Sequence, residues 1–242
     1  MHERLLLSAK ILVVGGWSQG GRNPPLEIID LINTKSKSNI VKDKNGLRGG
    51  ATGGILQDQL LICGGRGSSG DSARNISIIR EPNYCGKMIY PRRYMSSIVL
   101  NESIIWVTGG MSNNGQLKST EIVSFDQPAV PGPDLPFTVS HHSMVLVDPK
   151  TIYLIGGEQN GEISNKTWII DPTNDFQIKV GPSLNLPRRE HSCSKMKIKE
   201  RTFLVVAGGR SCNKEFLEIV EFLDTTCPDQ GWKIGMKLNF IF

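Results

Sequence analysis

A pair of adjacent glycines recurs along the chain, each time at the end of a short apolar run. The pairs are Gly15 and Gly16, Gly64 and Gly65, Gly109 and Gly110, Gly156 and Gly157, and Gly208 and Gly209. The first glycines of successive pairs are 49, 45, 47 and 52 residues apart. A period of about fifty residues is typical of repeat proteins, in which each unit buries its apolar face against its neighbours. The chain is therefore predicted to contain five equivalent units.

Each unit contains four short segments with the β-branched and alternating composition of strands. The segment before each glycine pair, such as residues 152–155, is apolar throughout, which is typical of a strand buried on both faces. A first strand is predicted at residues 4–8, and the weakest fourth strands lie near residues 38–42 and 128–132, the latter interrupted by prolines. No stretch has a 3.6-residue apolar period, so we predict an all-β fold with very little helix.

The glycine pairs are predicted to be architectural. Glycine adopts positive φ without strain and lets two backbones approach closely where a buried strand ends. The competing interpretation is a phosphate-binding loop, but no Lys-Ser or Lys-Thr pair directly follows the glycines and no helix is predicted to start there. All ten glycines are therefore assigned a structural role.

The fourth unit carries the fullest form of the pattern. It reads Tyr-Leu-Ile-Gly-Gly at residues 153–157, Trp-Ile-Ile-Asp-Pro at 168–172 and Pro-Arg-Arg at 187–189. This pattern resembles the kelch family of β-propellers over essentially the whole chain. The resemblance implies one domain of four-stranded blades around a central channel, with blades at residues 1–46, 47–93, 94–139, 140–190 and 191–242. Because the family usually has six or seven blades, an incomplete six-bladed ring is favoured over a closed ring of five.

Arginines are concentrated at one predicted end of the blades. In an antiparallel four-stranded sheet, the link into the first strand and the loop after the second strand lie at the same end. The links contain Arg48, Arg92, Arg93, His141, Arg188 and Arg189. The positions after the glycine pairs are occupied by Trp17, Arg66, Met111, Glu158 and Arg210. Arginine forks suit carboxylates, and an exposed tryptophan suits an interface anchor.

We therefore expect this end to bind an acidic peptide or loop of a partner protein. The candidate contact residues are Arg48, Arg66, Arg92, Arg188, Arg210, Trp17 and His141. The alternative is that arginines before first strands pack between blades and pair with backbone groups or aspartate. This alternative applies especially to Arg93 and Arg189.

Composition places few further limits on function. The net charge of +5 is spread along the chain, which permits an acidic partner without requiring nucleic acid. No apolar run reaches the length of a membrane span, and the apolar stretch at residues 5–7 is too short for a signal peptide. An odd number of cysteines, five, argues against a disulfide framework. We expect a cytoplasmic monomer that contacts neither a membrane nor nucleic acid.

The residues give no support for catalysis. One Gly-x-Ser-x-Gly sequence occurs, at residues 16–20, but no helix is predicted after it, as the nucleophile turn of a hydrolase requires. There is no Cys-x-x-Cys pair and no recurring carboxylate pair. His142 and His191 occupy the same position in their repeats, so packing is favoured over a metal site. No catalytic residue, cofactor or metal is predicted.

We therefore predict a non-catalytic protein-interaction module. The kelch resemblance implies roles such as substrate recognition for ubiquitin ligases or actin binding by an adapter. The alternative that remains open is a propeller-based enzyme or a protein that binds a sugar or a metal.

Overall fold

The computed structural model describes residues 10–13, 26–30, 39–41, 49–57, 59–66, 70–78, 85–125 and 127–237. Side chains are described from residue 49 onward, except those of Ser77, Ile78 and Cys85. The predicted strand at residues 4–8 and the predicted roles of Gly15, Gly16, Trp17 and Arg48 lie outside the described residues.

The described chain is all-β and folds into successive antiparallel sheets. Sheet 1 contains β1 (Lys10–Val13), β2 (Leu26–Asp30) and β3 (Asn39–Val41). Sheet 2 contains β4 (Thr52–Leu56), β5 (Gln59–Cys63), β6 (Asn75–Ile78) and β7 (Cys85–Lys87). Sheet 3 contains β8 (Ser96–Asn101) and β9 (Ile104–Thr108), then, after the hairpin β10 (Met111–Ser112) and β11 (Gly115–Gln116), β12 (Thr120–Val123) and β13 (Val130–Gly132).

The C-terminal half repeats this plan. After β14 (Val139–Ser140), sheet 4 begins with β15 (Ser143–Asp148) and β16 (Thr151–Ile155). Strand β17 (Glu158–Gln159) pairs with β14 on one side and with β18 (Glu162–Ile163) on the other. Sheet 4 ends with β19 (Thr167–Asp171) and β20 (Gln177–Val180). Sheet 5 contains β21 (Ser192–Ile198), β22 (Arg201–Ala207), β23 (Ile219–Asp224) and β24 (Lys233–Lys237).

Helix is nearly absent, as predicted. Within the described ranges, the one helical element is a 3₁₀ turn at Pro228–Gln230. That part of the chain holds no helix long and apolar enough to cross a bilayer.

The prediction of four-stranded antiparallel units is confirmed for sheets 2 to 5. The weakest predicted strand of these sheets, β13, forms even though Pro131 stands within it, opposite Glu121 of β12. Strand β13 is the outermost strand of sheet 3. A proline is tolerated there because an edge strand need not donate every backbone N–H to a neighbour.

Successive sheets pack face to face, with the first strands β4, β8, β15 and β21 in contact in that order. We call the face turned to the next sheet the forward face and the opposite one the backward face. In sheets 3 and 4, alternate residues of the second strand point to opposite faces that are both covered, which accounts for the largely apolar composition of β9 and β16. The packed sets are Leu61 and Cys63 against Ile105 and Val107, Ile98 and Trp106 against Met144 and Leu154, and Tyr153 and Ile155 against Leu204 and Val206.

The glycine pairs allow the close approach of neighbouring sheets. Gly157 has φ +83°, and a Cβ built there would lie 2.6 Å from Ser140 O and 2.7 Å from His142 Cβ. Its N–H donates to Arg188 O at 2.8 Å. Gly157 is therefore required both for its backbone conformation and for the space that a side chain would fill.

We expect Gly157→Ala to destabilise the fold by about 3 kcal/mol, because it adds a backbone clash to the cost of a left-handed alanine. The matched control is Gly161→Ala, since Gly161 has a similar φ of +86° but open space around its Cβ position. That variant should lose only about 1 kcal/mol. Urea denaturation of both measures the difference, and equal losses would show that close approach is unimportant.

Candidate functional site

The residues that precede first strands and those that follow glycine pairs meet at one end of the sheets, which we call the loop face. Arg93 and Met111 exchange backbone hydrogen bonds of 2.9 and 2.7 Å, and Arg189 and Arg210 exchange bonds of 3.1 and 2.8 Å. Ser140 pairs with Glu158 in the same way. The predicted convergence of these two sets is therefore confirmed in sheets 3 to 5.

A ladder of hydrogen bonds links successive sheets at the loop face. Its members each stand two residues before a first strand: Gly50, Tyr94, His141 and Glu190. Tyr94 N–H donates to Gly50 O at 2.8 Å, His141 N–H to Tyr94 O at 2.8 Å, and Glu190 N–H to His141 O at 3.0 Å. All four have left-handed φ, of +71°, +57°, +55° and +59°. Such φ values cost about 1 kcal/mol or more in a non-glycine residue and are often found at functional sites.

The side chains of the ladder form a continuous row. The Tyr94 and His141 rings stack with centroids 4.1 Å apart. His141 Nε2 lies 3.8 Å from Glu190 Oε1, and Glu190 Oε2 lies 3.4 Å from Arg210 Nε. Burial, followed by the charges of Arg189 and Arg93, lowers the pKa of His141 to about 4. The imidazole is therefore neutral at pH 7, and its contact with Glu190 is not an ion pair.

Two arginines of the loop face adjoin Ser72. Arg66 is exposed, pairs with Ser72 in an isolated β-bridge, and donates from Nε to Gly70 O at 3.2 Å. Arg93 Nη1 donates to Ser72 Oγ at 2.9 Å, and its guanidinium carbon lies 5.8 Å from the centroid of the Tyr94 ring. Both hydrogen bonds are to uncharged oxygens, and the carboxylate of Asp71 stands next to Ser72 in the chain.

Two further arginines of this face are paired within the chain. Arg189 Nη1 donates to Glu158 Oε2 at 2.8 Å, with both side chains about four-fifths buried. Arg210 lies beside Glu190, and its guanidinium carbon is 4.6 Å from the centroid of Phe216, whose side chain is 64% exposed. The loop face is thus a mixed surface, in which arginines outnumber the glutamates that bind them.

Arg92 and Arg188 do not belong to this surface. Both are fully buried, so the prediction that they contact a partner is wrong. Each forms a buried ion pair within its own sheet: Arg92 with Glu121 at 2.6 Å and Arg188 with Glu221 at 2.7 Å. The packing alternative thus describes Arg92 and Arg188, with glutamate rather than aspartate as the partner.

The two buried ion pairs form equivalent sets of hydrogen bonds, one in sheet 3 and one in sheet 5. Arg92 Nη1 donates to Gly109 O at 2.8 Å, and Glu121 accepts from the N–H groups of Ile89 and Tyr90 at 2.7 and 3.0 Å. In sheet 5, Arg188 Nη1 donates to Gly208 O at 2.9 Å, and Glu221 accepts from the N–H groups of Asn185 and Leu186 at 2.6 and 3.2 Å. Each pair therefore ties the first glycine, the third strand and the incoming link together.

Sheet 4 makes the same connection without charge. Val139 stands where sheets 3 and 5 have arginine, and Trp168 stands where they have glutamate. Gln159 Nε2 donates to Gly156 O at 3.0 Å, and Trp168 Nε1 donates to Gln159 Oε1 at 3.2 Å. Trp168 also stacks on Phe137 at 4.6 Å. The carbonyl of the first glycine thus receives a buried donor in all three sheets.

We expect Arg188→Met and Glu221→Leu each to destabilise the protein by about 3 kcal/mol, because each leaves one buried charge unpaired. The double variant should lose at least about 1 kcal/mol less than the sum of the singles, because it removes both charges. Urea denaturation at pH 7 provides the double-mutant cycle. Additive losses would contradict the assigned coupling.

His142 and His191 occupy equivalent positions, as predicted, next to Gly157 and Gly209 respectively. His142 Nε2 lies 2.9 Å from Thr108 Oγ1. Burial lowers the pKa of both imidazoles to about 3, helped by neighbouring histidines at His142 and by Arg188 at His191. Among the described residues, no group of three histidine, cysteine or carboxylate side chains could hold a metal ion.

These two histidines should make stability fall in acid. Their folded pKa lies below the usual value of 6.5, so the unfolded chain binds protons that the folded chain excludes. Between about pH 6.5 and the folded pKa, each should remove about 1.4 kcal/mol per pH unit.

Sheet 3 has Met95 at the equivalent position. Replacing both histidines with Met should therefore reduce the loss of unfolding free energy per pH unit. Urea denaturation at pH 7 and pH 5 of the wild type and of His142→Met/His191→Met measures it. An unchanged difference between the two pH values would refute the assignment.

Comparison with models of known protein families gives no match for the chain, and comparison with curated proteins gives none. The chemistry of the loop face is that of guanidinium groups held over aromatic rings and beside a hydroxyl, an arrangement suited to carboxylate ligands.

Proposed function

We propose that the chain is an array of kelch-type propeller blades that acts as a non-catalytic protein-interaction module. Its loop face binds an acidic segment of a partner protein. The blade assignment is supported by the shared register of the glycine pairs and by the successive contact of the first strands. The binding assignment rests on one observation, which is the convergence of Arg66, Arg93, Arg189 and Arg210 at one end of the sheets.

Arg66 and Arg93 are the primary anion-binding groups. Their hydrogen bonds to Gly70 O and Ser72 Oγ orient the guanidinium groups through uncharged acceptors. A carboxylate that approaches Ser72 meets both charges, and arginine can bind it with two parallel hydrogen bonds. Because one exposed ion pair contributes only about 0.2–1 kcal/mol, useful affinity requires several carboxylates in one segment.

Arg189 and Arg210 extend the surface towards sheet 5. Their intrachain partners, Glu158 and Glu190, hold the guanidinium groups in place and limit the positive charge of the unoccupied face. Carboxylates of a ligand would share or replace these partners. Phe216 and Tyr94 add apolar contact area beside the charges, as the aromatic residues of interface hot spots do.

The test is charge reversal at the loop face. A fluorescein-labelled oligoglutamate peptide should bind the wild type, and Arg66→Glu/Arg210→Glu should weaken binding by about tenfold or more because both contacts become repulsive. Binding should also weaken as salt is added. Fluorescence anisotropy measures both effects.

The matched control is Lys150→Glu/Lys199→Glu. Both lysines are exposed and lie in the hairpins between first and second strands, at the opposite end of sheets 4 and 5. This variant changes the net charge equally, so it should retain binding. Equal weakening in both double variants would indicate a net-charge effect, and unaltered binding by the loop-face variant would exclude this site.

A further inference from the structure

Asn-Gly dipeptides occupy the tips of two equivalent hairpins at the loop face. Asn114 and Gly115 lie at the tip of the hairpin of β10 and β11, and Asn160 and Gly161 at the tip of that of β17 and β18. A third such dipeptide, at residues 45–46, lies outside the described residues. An asparagine before glycine can cyclise, because glycine has no side chain to hinder attack by its backbone nitrogen on the asparagine amide. Both described asparagines are exposed, so their hydrogen bonds decide which of them reacts.

The Asn160 site is restrained by its neighbours. Thr138 N–H donates to Asn160 Oδ1 at 3.1 Å, and Asn160 N–H donates to Thr138 O at 2.9 Å. Gly161 N–H, the group that would attack, donates to Gln116 Oε1 at 3.0 Å. The hairpin also belongs to a three-stranded sheet, because β17 pairs with β14. Cyclisation at Asn160 therefore requires several hydrogen bonds to break.

The Asn114 site lacks these restraints. Asn114 N–H donates to Ser112 Oγ at 3.1 Å, but the amide side chain has no hydrogen-bond partner among the residues that the structure describes. Strands β10 and β11 form a two-stranded sheet, in which Gly115 pairs with Ser112. Because so small a hairpin is marginally stable, local opening releases the Gly115 N–H group. The space around the Cβ position of Gly115 is also open.

We propose that Asn114 is a site of spontaneous deamidation, a modification that gives the loop face a new negative charge. The backbone nitrogen of Gly115 bonds to Cγ of Asn114, the bond from Cγ to Nδ2 breaks, and ammonia leaves with the proton of the Gly115 N–H group. The resulting succinimide takes up one water molecule. Opening at Cγ gives aspartate, and opening at the backbone carbonyl carbon gives isoaspartate. The reaction consumes only water.

The new carboxylate would stand beside the arginines of sheets 2 and 3. Asn113, the preceding residue, accepts from Ser72 N–H at 2.9 Å and donates to Asp71 Oδ1 at 3.3 Å. Ser72 Oγ in turn accepts from Arg93 Nη1. A negative charge at position 114 therefore opposes the approach of an acidic segment to Arg93. This effect on binding rests on the proposed function, whereas the deamidation does not.

Peptide mapping by mass spectrometry, after prolonged incubation of the folded protein at neutral pH, tests the proposal. Trypsin places Asn114 in the peptide of residues 94–118 and Asn160 in that of residues 151–166, and fragmentation assigns the modified residue. Asn114 should deamidate at least about tenfold faster than Asn160, because the hydrogen bonds at Asn160 oppose cyclisation. Incubation in urea is the matched control. Unfolding should bring the two rates together, since it removes the restraints on Asn160.

Two variants separate the local chemistry from other sources of the mass change. Asn114→Gln should abolish most of the deamidation in residues 94–118. Gln116→Ala removes the acceptor of the Gly161 N–H group and should accelerate deamidation at Asn160. Absence of deamidation at Asn114, or equal rates at Asn114 and Asn160 in the folded wild type, would overturn the proposal.

The effect on binding has its own measurement. Asn114→Asp should bind the fluorescein-labelled oligoglutamate peptide roughly two- to fivefold more weakly than the wild type, as expected for one exposed charge. Unchanged affinity would refute the effect on binding. Failure of the wild type to bind the peptide would refute the proposed function alone, because the mass measurement does not depend on a ligand.

Discussion

The architecture of sheets 3 to 5 depends on one carbonyl, that of the first glycine in the pair of each sheet. It lies where the second strand ends, and a side chain donates to it: Arg92 at Gly109, Gln159 at Gly156 and Arg188 at Gly208. A buried acceptor without a partner costs about 1–3 kcal/mol. Because Arg92 and Arg188 each come from the link that enters the first strand, satisfying this acceptor also fixes that link against the sheet.

Fixing the link determines what reaches solvent. Once Arg92 and Arg188 are directed inward, the residues that follow, Arg93 and Arg189, lie at the loop face beside the residue after a glycine pair. The next residue then belongs to the hydrogen-bond ladder. A buried ion pair is weak evidence for stability, because desolvation opposes the attraction between the charges. The role of the ion pair here is to position the link against the sheet. Sheet 4 supports that view, because Gln159, an uncharged side chain, donates there to the equivalent glycine carbonyl.

Much of the fold follows from the sequence because its causes are periodic. The spacing of glycine pairs and the continuous apolar runs predict all-β repeats, and antiparallel connectivity predicts which loops share an end. The sequence does not predict in the same way which of Arg92 and Arg93 is buried. That depends on the register between the link and Glu121 on the third strand. Tyr94 and Glu190 were missed because left-handed backbone in non-glycine residues has no sequence pattern. Their constant offset from the first strands was the one available signal.

The repeat therefore separates positions that are constrained from positions that are free to differ. Inward positions must supply a donor to the glycine carbonyl and an aliphatic surface to the next sheet. Where one of them differs, its partners differ with it: in sheet 4, Val139 replaces the arginine and Gln159 and Trp168 make the connection instead. Ladder positions are held by backbone hydrogen bonds that do not involve the side chain, and they carry glycine, tyrosine, histidine and glutamate in turn. Since the backbone is constant while these side chains differ, the chemistry of the loop face is set by ladder residues and their neighbours. The side chains of the loop face can then change without altering the packing that supports it.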